Sequence, residues 1–303
     1  MFNHKSVNSE SDAYLVLSWI SESCDFQTTN LIKQYGAIEA LANISKSDST
    51  IAAEKRRKIR LSSISEVDQL KEILSNHSIK YIHAIDARWP NNLRDLGFEM
   101  PLGIFYKGDI SYLNLEAFSI VGTRKSSIYG NSVAGEFAFD LAAMGFMIIS
   151  GGAVGIDTAS HHGALNANGP TICVQANGLH RLYPSKNDFL FTKIINHGVI
   201  ISEYPPGRNP TKNYFLQRNR IIAALSKSTL VVEAAEISGA LATARHASRM
   251  QRLVMAIPGS INSTMSKGTN ELIRNREAES VSDLQQILEL VLPLGQIPAG
   301  ASL

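Results

Sequence analysis

Residues 146–157 read Phe-Met-Ile-Ile-Ser-Gly-Gly-Ala-Val-Gly-Ile-Asp, and this stretch decides the fold. An apolar run of strand length is followed by a glycine-rich turn, and the apolar residues after the turn recur at helical spacing. Strand, glycine turn and helix in this order are typical of an open α/β sheet. In such sheets the turn lies at the carboxyl edge of the strands, where phosphate groups bind.

The same alternation of strand and helix extends on both sides of this stretch. The predicted strands are Phe118–Val121, Phe146–Ser150, Thr171–Gln175, Val199–Ser202, Thr229–Glu233 and Leu253–Pro258. The predicted helices between them are Val133–Met144, Ile156–Ala167, Phe189–Asn196, Asn219–Leu225 and Ala240–Arg249. Short apolar strands separated by amphipathic helices predict a doubly wound, mostly parallel, extended Rossmann-like sheet with right-handed crossovers.

The chain divides into four predicted segments. They are a small helical domain (1–80), a connector with an edge strand at Leu102–Tyr106 (81–117), the Rossmann-like domain (118–282), and a C-terminal helix with a frayed tail (283–303). In the helical domain, Ala13–Glu22 and Thr29–Tyr35 have helical spacing, and we expect Gly36 to close the second helix in the left-handed conformation. The basic run at residues 55–60 is either a solvated helix face or a non-specific phosphate contact.

Composition places the protein among ordinary soluble globular chains. It has 303 residues, of which 44% are hydrophobic and 18% charged, and a net charge of +2, so any nucleic-acid site must be a local patch. Cys24 and Cys173 fit neither metal nor redox spacing and suit a reducing compartment. Without a signal sequence or an apolar run long enough to cross a bilayer, we expect a cytoplasmic protein that has no membrane association, metal or cofactor.

Cations and aromatic residues crowd together in residues 210–226. Lys212, Arg218 and Arg220 surround Tyr214 and Phe215. Cations bind phosphates and an aromatic ring stacks on a base, which predicts a site for single-stranded nucleic acid. Because the two arginines are two residues apart, they cannot share one helix face. One is expected at the ligand edge and the other paired with an acid such as Glu203 or Glu233, and the alternative for Phe215 is an ordinary core position.

The glycine turn is the second predicted part of this site. Gly151 and Gly152 follow Ser150 at a strand end, and Arg124 follows Gly122 at the end of the preceding strand. Backbone N–H groups, the positive end of the next helix and a bidentate guanidinium would converge on one anion. The structural alternatives are tight strand–helix packing for the glycines and a salt bridge for Arg124.

Three other constellations are weaker. Asp157 and His161, four residues apart, suggest a metal or acid–base pair, but a structural hydrogen bond between them is the commoner arrangement. Glu203 and Glu233 at strand ends suggest paired carboxylates for glycosidic chemistry. The serines at 202 and 238 lack the context of a catalytic nucleophile.

A collinear set of motifs resembles the DNA processing protein A family, also called DprA or Smf, over residues 85–275. The matching pieces are Val121–Arg124 with Tyr129-Gly130, Ser150–Ala153, Gly155–Asp157 with His161 and Ala164-Leu165, Tyr183-Pro184 with Asn187, Ser202–Pro205, Phe215 with Arg218–Ile222, Val231–Ala234, Ser238-Gly239 with Thr243-Ala244, Pro258-Gly259, and Gly268–Asn270 with Leu272-Ile273. Less specifically, the Leu31–Leu41 segment resembles the family's helical, sterile-alpha-motif-like (SAM-like) domain.

The resemblance implies a Rossmann-like protein that binds single-stranded DNA, usually as a dimer, and helps load the RecA recombinase onto incoming DNA during natural transformation. It implies no catalysis. By motif, Arg124, Gly151, Gly152, Lys212, Phe215 and Arg218 are DNA-contact candidates, and we add the neighbouring Gly122, Ser150 and Arg220. A homodimer would pair through the Asp283–Leu292 helix or the helix near Ala240–Ala247.

The chain departs from the family pattern at loop positions. The departures are Ala176, His180, Ala224, Gln251 and the Arg274–Glu277 segment. Too few residues follow Val291 for the C-terminal winged helix that many members carry, so none is expected.

Two alternatives to single-stranded DNA binding stay open. The first is a nucleotide or nucleoside-phosphate hydrolase on a related fold, although Pro258-Gly259-Ser260 lacks the Pro-Gly-Gly-x-Gly-Thr loop of such enzymes. The second is a scaffold that recruits a recombinase without touching DNA.

Overall fold

The computed structural model describes residues 7–46 and 67–292, with the side chains of residues 45 and 46 left aside. The described residues form two compact units. The first contains those up to Lys107 together with 176–182 and 201–217, and the second contains 108–175, 183–200 and the residues from Arg218 onward. The predicted segment boundaries stay a prediction; this grouping differs from them by joining two later segments to the N-terminal helices. The basic run at 55–60 and the tail after residue 292 lie outside the described residues.

The first unit begins with four helices and a pair of strands. They are α1 (Glu10–Ile20), α2 (Phe26–Tyr35), α3 (Ala37–Lys46), α4 (Val67–Asn76), β1 (Lys80–His83) and β2 (Gly103–Gly108). β1 and β2 are antiparallel, with Lys80 opposite Tyr106. The pattern predicted β2 but not its partner β1.

Side chains cap the first turns of helices in this unit. Ser9 accepts from the Asp12 N–H (3.1 Å) at the start of α1, and the Glu10 carboxylate accepts from the Ala37 N–H (2.8 Å) at the start of α3. Gly36 has the expected positive φ of 82°, but its ψ of 168° is extended rather than left-handed helical. The reason is that α3 begins at the next residue, so the chain must turn outward at once.

The second unit is a parallel sheet. Its strands are β3 (Ala117–Val121), β4 (Met147–Ser150), β5 (Thr171–Val174), β7 (Ser228–Val231), β8 (Leu253–Ala256) and β9 (Glu279–Ser280). Their order is β5-β4-β3-β7-β8-β9, and every neighbouring pair is parallel. The chain builds outward from β3 in one direction and then returns to add β7 on the other side. The Rossmann-like, doubly wound prediction is confirmed, and the order reverses between β3 and β7, which is where such folds bind ligands.

Helices cover this sheet. They are α5 (Ile128–Ala143), α6 (Ile156–Asn166), α7 (Asp188–His197), α9 (Gly239–Arg249), α10 (Lys267–Arg274) and α11 (Leu284–Val291). Alternate strand residues such as Phe118, Ile120 and Ile148 pack with Leu141 of α5 and Ile156 of α6 in one core cluster. Burial of this apolar face stabilises the unit by about 25 cal/mol per Å² removed from water.

Two elements have residues in both units. They are β6 (Val199–Ser202) and α8 (Lys212–Leu225), whose residues 212–217 belong to the first unit. α8 begins seven residues earlier than predicted. Thr211 starts it by accepting the Tyr214 N–H at its hydroxyl (3.2 Å) and the Phe215 N–H at its carbonyl (3.2 Å). Within residues 7–46 and 67–292, no helix combines the length and apolar character needed to cross a bilayer.

Candidate nucleic-acid interface

The loop after β3 carries two exposed cations at the point where the strand order reverses. Gly122 and Thr123 follow the strand, and Arg124 and Lys125 project at the surface before α5 begins. The Thr123 N–H donates to the carbonyl of Glu233, just beyond the neighbouring strand β7 (2.8 Å). Ser127 caps α5 by accepting the Gly130 N–H at its hydroxyl (2.9 Å). This loop therefore brings positive charge to the helix end that already favours anions.

The glycine turn after β4 lies against the same loop. The Ile156 N–H donates to the Thr123 carbonyl (3.4 Å), and a side chain at Gly155 would collide with the backbone of Thr123 and Arg124. Within the second unit, Arg124 and the glycine turn are therefore neighbours.

Three side chains hold the carbonyls of this turn. Arg218 donates to the Gly151 carbonyl (2.7 Å), Asn187 to that of Gly152 (3.0 Å) and Thr158 to that of Ala153 (2.7 Å). The Ala153 carbonyl and the Val154 N–H belong to one planar trans peptide and point in opposite directions. Because Thr158 lies at the carbonyl, the Val154 N–H points away from Thr158. The turn is thus fixed from inside by side-chain donors.

Burial separates the predicted interface residues into two groups. Arg124 and Lys212 are exposed, and Gly122 and Phe215 are partly exposed. The buried group is Ser150, Gly151, Gly152, Arg218 and Arg220.

The buried residues shape the site from within. Ser150 donates to the Ile120 carbonyl (2.7 Å), and Arg218 is 4% exposed and donates to the carbonyls of Gly151 and Val174. Arg220 has no exposed surface. We therefore no longer propose the two arginines as direct DNA contacts. The expected division, with one arginine at the ligand edge, differs from this placement because both side chains of α8 point into the protein interior.

In the first unit, Lys212 and Phe215 occupy the first turn of α8. The adjacent Tyr214 stacks on Tyr204 with ring centroids 4.1 Å apart, and its hydroxyl donates to Glu22 (3.1 Å). Tyr214 is therefore engaged within its own unit, and of the two aromatic residues Phe215 is the stacking candidate.

Burial favours the neutral forms of the ionisable groups beside the glycine turn. Burial raises the pKa of Asp157, and the charge of Arg218 and the hydrogen bond from the Ala153 N–H (3.3 Å) oppose that rise. Burial likewise raises the pKa of the Cys173 thiol to about 12, so it stays protonated at neutral pH.

Asp157 and His161 do not form the hydrogen bond considered from their spacing. Asp157 accepts from the Ala153 N–H, whereas His161 Nδ1 lies 2.8 Å from the Thr171 hydroxyl. That hydroxyl donates to the Ile148 carbonyl (2.6 Å), so Nδ1 must carry the proton it shares with Thr171. Among the described residues, no three His, Cys, Asp or Glu side chains come together as metal ligands.

The neutral imidazole predicts acid sensitivity. Burial lowers the pKa of His161 from its ordinary value of about 6.5 to about 3. Below pH 6.5 the unfolded chain therefore binds a proton at this histidine that the folded chain does not bind. Its contribution to stability is present above pH 6.5 and is lost as pH falls toward 3, at roughly 1.4 kcal/mol per pH unit. Urea unfolding of the wild type and of His161→Gln between pH 7 and pH 4 should show the variant gaining relative stability at acid pH. A constant difference between the two proteins would contradict this assignment.

The two glutamates considered as paired carboxylates have separate surroundings. Glu203 belongs to the first unit. Glu233 is 5% exposed in the second unit, and its two oxygens accept from the backbone N–H and the hydroxyl of Ser127 (2.9 and 2.6 Å). The sequence did not predict that Glu233 binds Ser127. The available signal was the position of Glu233 at a strand end, beside the predicted arginine loop.

The family described as DNA recombination-mediator protein A matches residues 80–292. This chain belongs to that family. A relative from Mycobacterium tuberculosis is 33% identical over 298 residues, which is 94% of this chain and 76% of the relative.

Two solved structures of the family are similar to this fold. The crystal structure of DNA processing protein A (DprA) from Streptococcus pneumoniae has a TM-score of 0.75 and 31% identity, covering 91% of this chain and 95% of its own. DNA processing protein A from Helicobacter pylori, described for its single-stranded DNA binding mode, has a TM-score of 0.64 and 30% identity, covering 71% and 95%. The resemblance to the DprA family is confirmed.

Proposed function

We propose that this protein binds single-stranded DNA in the cytoplasm, without catalysing a reaction, and helps load RecA recombinase onto it during recombination or natural transformation. The observation that carries the proposal is the contact between the exposed Arg124 loop and the glycine turn, at the point where the strand order reverses. The helix ends and cations there suit a phosphate. Membership of the DprA family and the DNA-binding relative from Helicobacter pylori support it.

The roles we assign follow from exposure. In the second unit, Arg124 contacts a phosphate beside the backbone of Gly122. In the first unit, Lys212 contacts a phosphate and Phe215 stacks on a base. The buried residues of the second unit, namely Ser150, Gly151, Gly152, Arg218 and Arg220, have a supporting role rather than a direct contact with DNA. Base contacts of this kind tolerate any sequence, because every base has a π face.

Binding should prefer single strands and should weaken with salt. In a duplex the bases are already stacked, so Phe215 cannot engage them and affinity should be lower. Lys212→Ala should reduce the slope of log affinity against log salt by about 0.7, the value for one phosphate contact on a single strand. Fluorescence anisotropy with a labelled oligothymidine and a matched hairpin duplex, from 50 to 300 mM salt, measures both effects.

A matched control is Lys80→Ala, which removes an exposed lysine on β1 in the same unit. It should leave the slope unchanged. Equal affinity for duplex and single strand, or a salt-independent affinity, would refute the proposal. The scaffold alternative expects Lys212→Ala and Phe215→Ala to retain recombinase binding and loading, so the same variants separate the two readings.

The hydrolase alternative has less support. The carboxylate that such an enzyme would use, Glu233, already accepts two hydrogen bonds from Ser127. We therefore treat the protein as a binder rather than an enzyme. Homodimer formation through α11 or α9 stays part of the proposal and can be measured by light scattering over a concentration series.

A further inference from the structure

We infer that Glu233 is a positioning residue for the DNA contact made by Arg124, an inference that rests on the function proposed above. Glu233 follows β7, and Arg124 follows β3, so the two residues lie at the carboxyl ends of adjacent parallel strands. The Glu233 carboxylate does not face solvent. It is buried and directed at the loop that carries Arg124.

Glu233 holds both ends of that loop. At the near end, its backbone carbonyl accepts from the Thr123 N–H (2.8 Å). At the far end, its carboxylate accepts from the N–H (2.9 Å) and the hydroxyl (2.6 Å) of Ser127. Arg124, Lys125 and Ser126 are the only residues between these two anchors, so their backbone has little freedom to shift away from the glycine turn.

The chain makes room for this carboxylate. A side chain at Gly130, in the first turn of α5, would collide with the Glu233 carboxylate group. The Ser127 hydroxyl both donates to Glu233 and accepts from the Gly130 N–H (2.9 Å). The carboxylate, the helix cap and the loop are therefore one hydrogen-bonded assembly.

The sign of the effect on DNA binding separates positioning from simple charge. Removing a negative charge near a phosphate site would by itself tighten DNA binding, because the repulsion of the polyanion falls. A positioning role predicts the opposite. Glu233→Gln keeps the size of the side chain but replaces two charge-assisted hydrogen bonds to Ser127 with weaker neutral ones, so the loop is held less firmly.

The test is a double-mutant cycle on single-stranded DNA affinity. Arg124→Ala should weaken binding about tenfold, as expected for loss of one charge-assisted contact. Glu233→Gln should weaken it about three- to tenfold in the wild type but less than about twofold in the Arg124→Ala background, because the two residues act through one contact. Hydrogen exchange should also show faster exchange of the Ser127 amide in Glu233→Gln.

Each outcome has a distinct meaning. Unchanged or tighter binding by Glu233→Gln, with Arg124→Ala weakened, would overturn the positioning role and leave the proposed function standing. Unchanged binding by Arg124→Ala would overturn both. If Glu233→Gln does not fold, Ser127→Ala removes the 2.6 Å hydrogen bond to Glu233 together with the cap on the Gly130 N–H, and it should show the same non-additivity with Arg124→Ala.

Discussion

Replacing Arg218 with methionine should destabilise the protein by about 3–5 kcal/mol, the range for removing one partner from a buried charged network. The methionine keeps most of the apolar stem but removes the guanidinium. The carbonyls of Gly151 and Val174 then lose this donor, and Asp157 loses the positive charge that opposes the rise of its pKa. The free energy of unfolding, measured with urea at pH 7, gives the effect.

Arg274→Met is the matched control because Arg274 is exposed on α10. It should change stability by less than about 0.5 kcal/mol. A second variant, Arg218→Lys, keeps the charge but not the fork of donors, and should fall between the wild type and methionine. A stable Arg218→Met protein with weakened DNA binding would instead indicate that Arg218 contacts the DNA directly.

Replacing Gly152 with alanine should have the second-largest effect, about 2–4 kcal/mol of lost stability. Two costs combine there. The φ of 67° lies in the left-handed region that disfavours a side chain, and the added methyl group would meet Cys173 Sγ at 2.6 Å and a ring carbon of Phe191 at 2.9 Å. Both neighbours are fully buried, so neither can move aside freely.

Gly145→Ala separates the two costs. Gly145 also has a positive φ (90°), but an added methyl group would meet nothing within 4 Å. It should lose only the backbone contribution, about 1 kcal/mol. Thermal and urea unfolding of the two variants measures the difference, and equal losses would show that crowding at the glycine turn is not significant.

The strands and helices of the sheet were predictable because each obeys a local rule. Apolar runs of strand length alternate with amphipathic helices, and strands β3 to β8 were all predicted within two residues at each end. Two of the missed elements are short: β9 has two residues, both exposed, and α10 (Lys267–Arg274) is an amphipathic helix of only eight residues, most of them polar. The first turn of α8 was missed because Lys212 and Asn213 give no apolar periodicity, whereas the cap at Thr211 is set by local geometry.

The location of the candidate site and two of its parts were also predictable from the sequence. Glycines after β4 and an arginine after β3 are sequence features, and the carboxyl ends of parallel strands meet at one edge. The pattern therefore indicated that Arg124 and the glycine turn would be neighbours. The roles of these residues in DNA binding stay predictions.

The amino-acid sequence by itself determined the doubly wound fold, the family and the edge of the sheet where the site lies, because these follow from local periodicity and motif order. Only the tertiary structure decided which cations face solvent. Arg124 and Arg218 were both predicted from the sequence to contact DNA, yet Arg218 is buried and donates to the carbonyls of Gly151, just after β4, and Val174, at the end of β5. Burial arises from residues distant along the chain, so no local pattern could predict it.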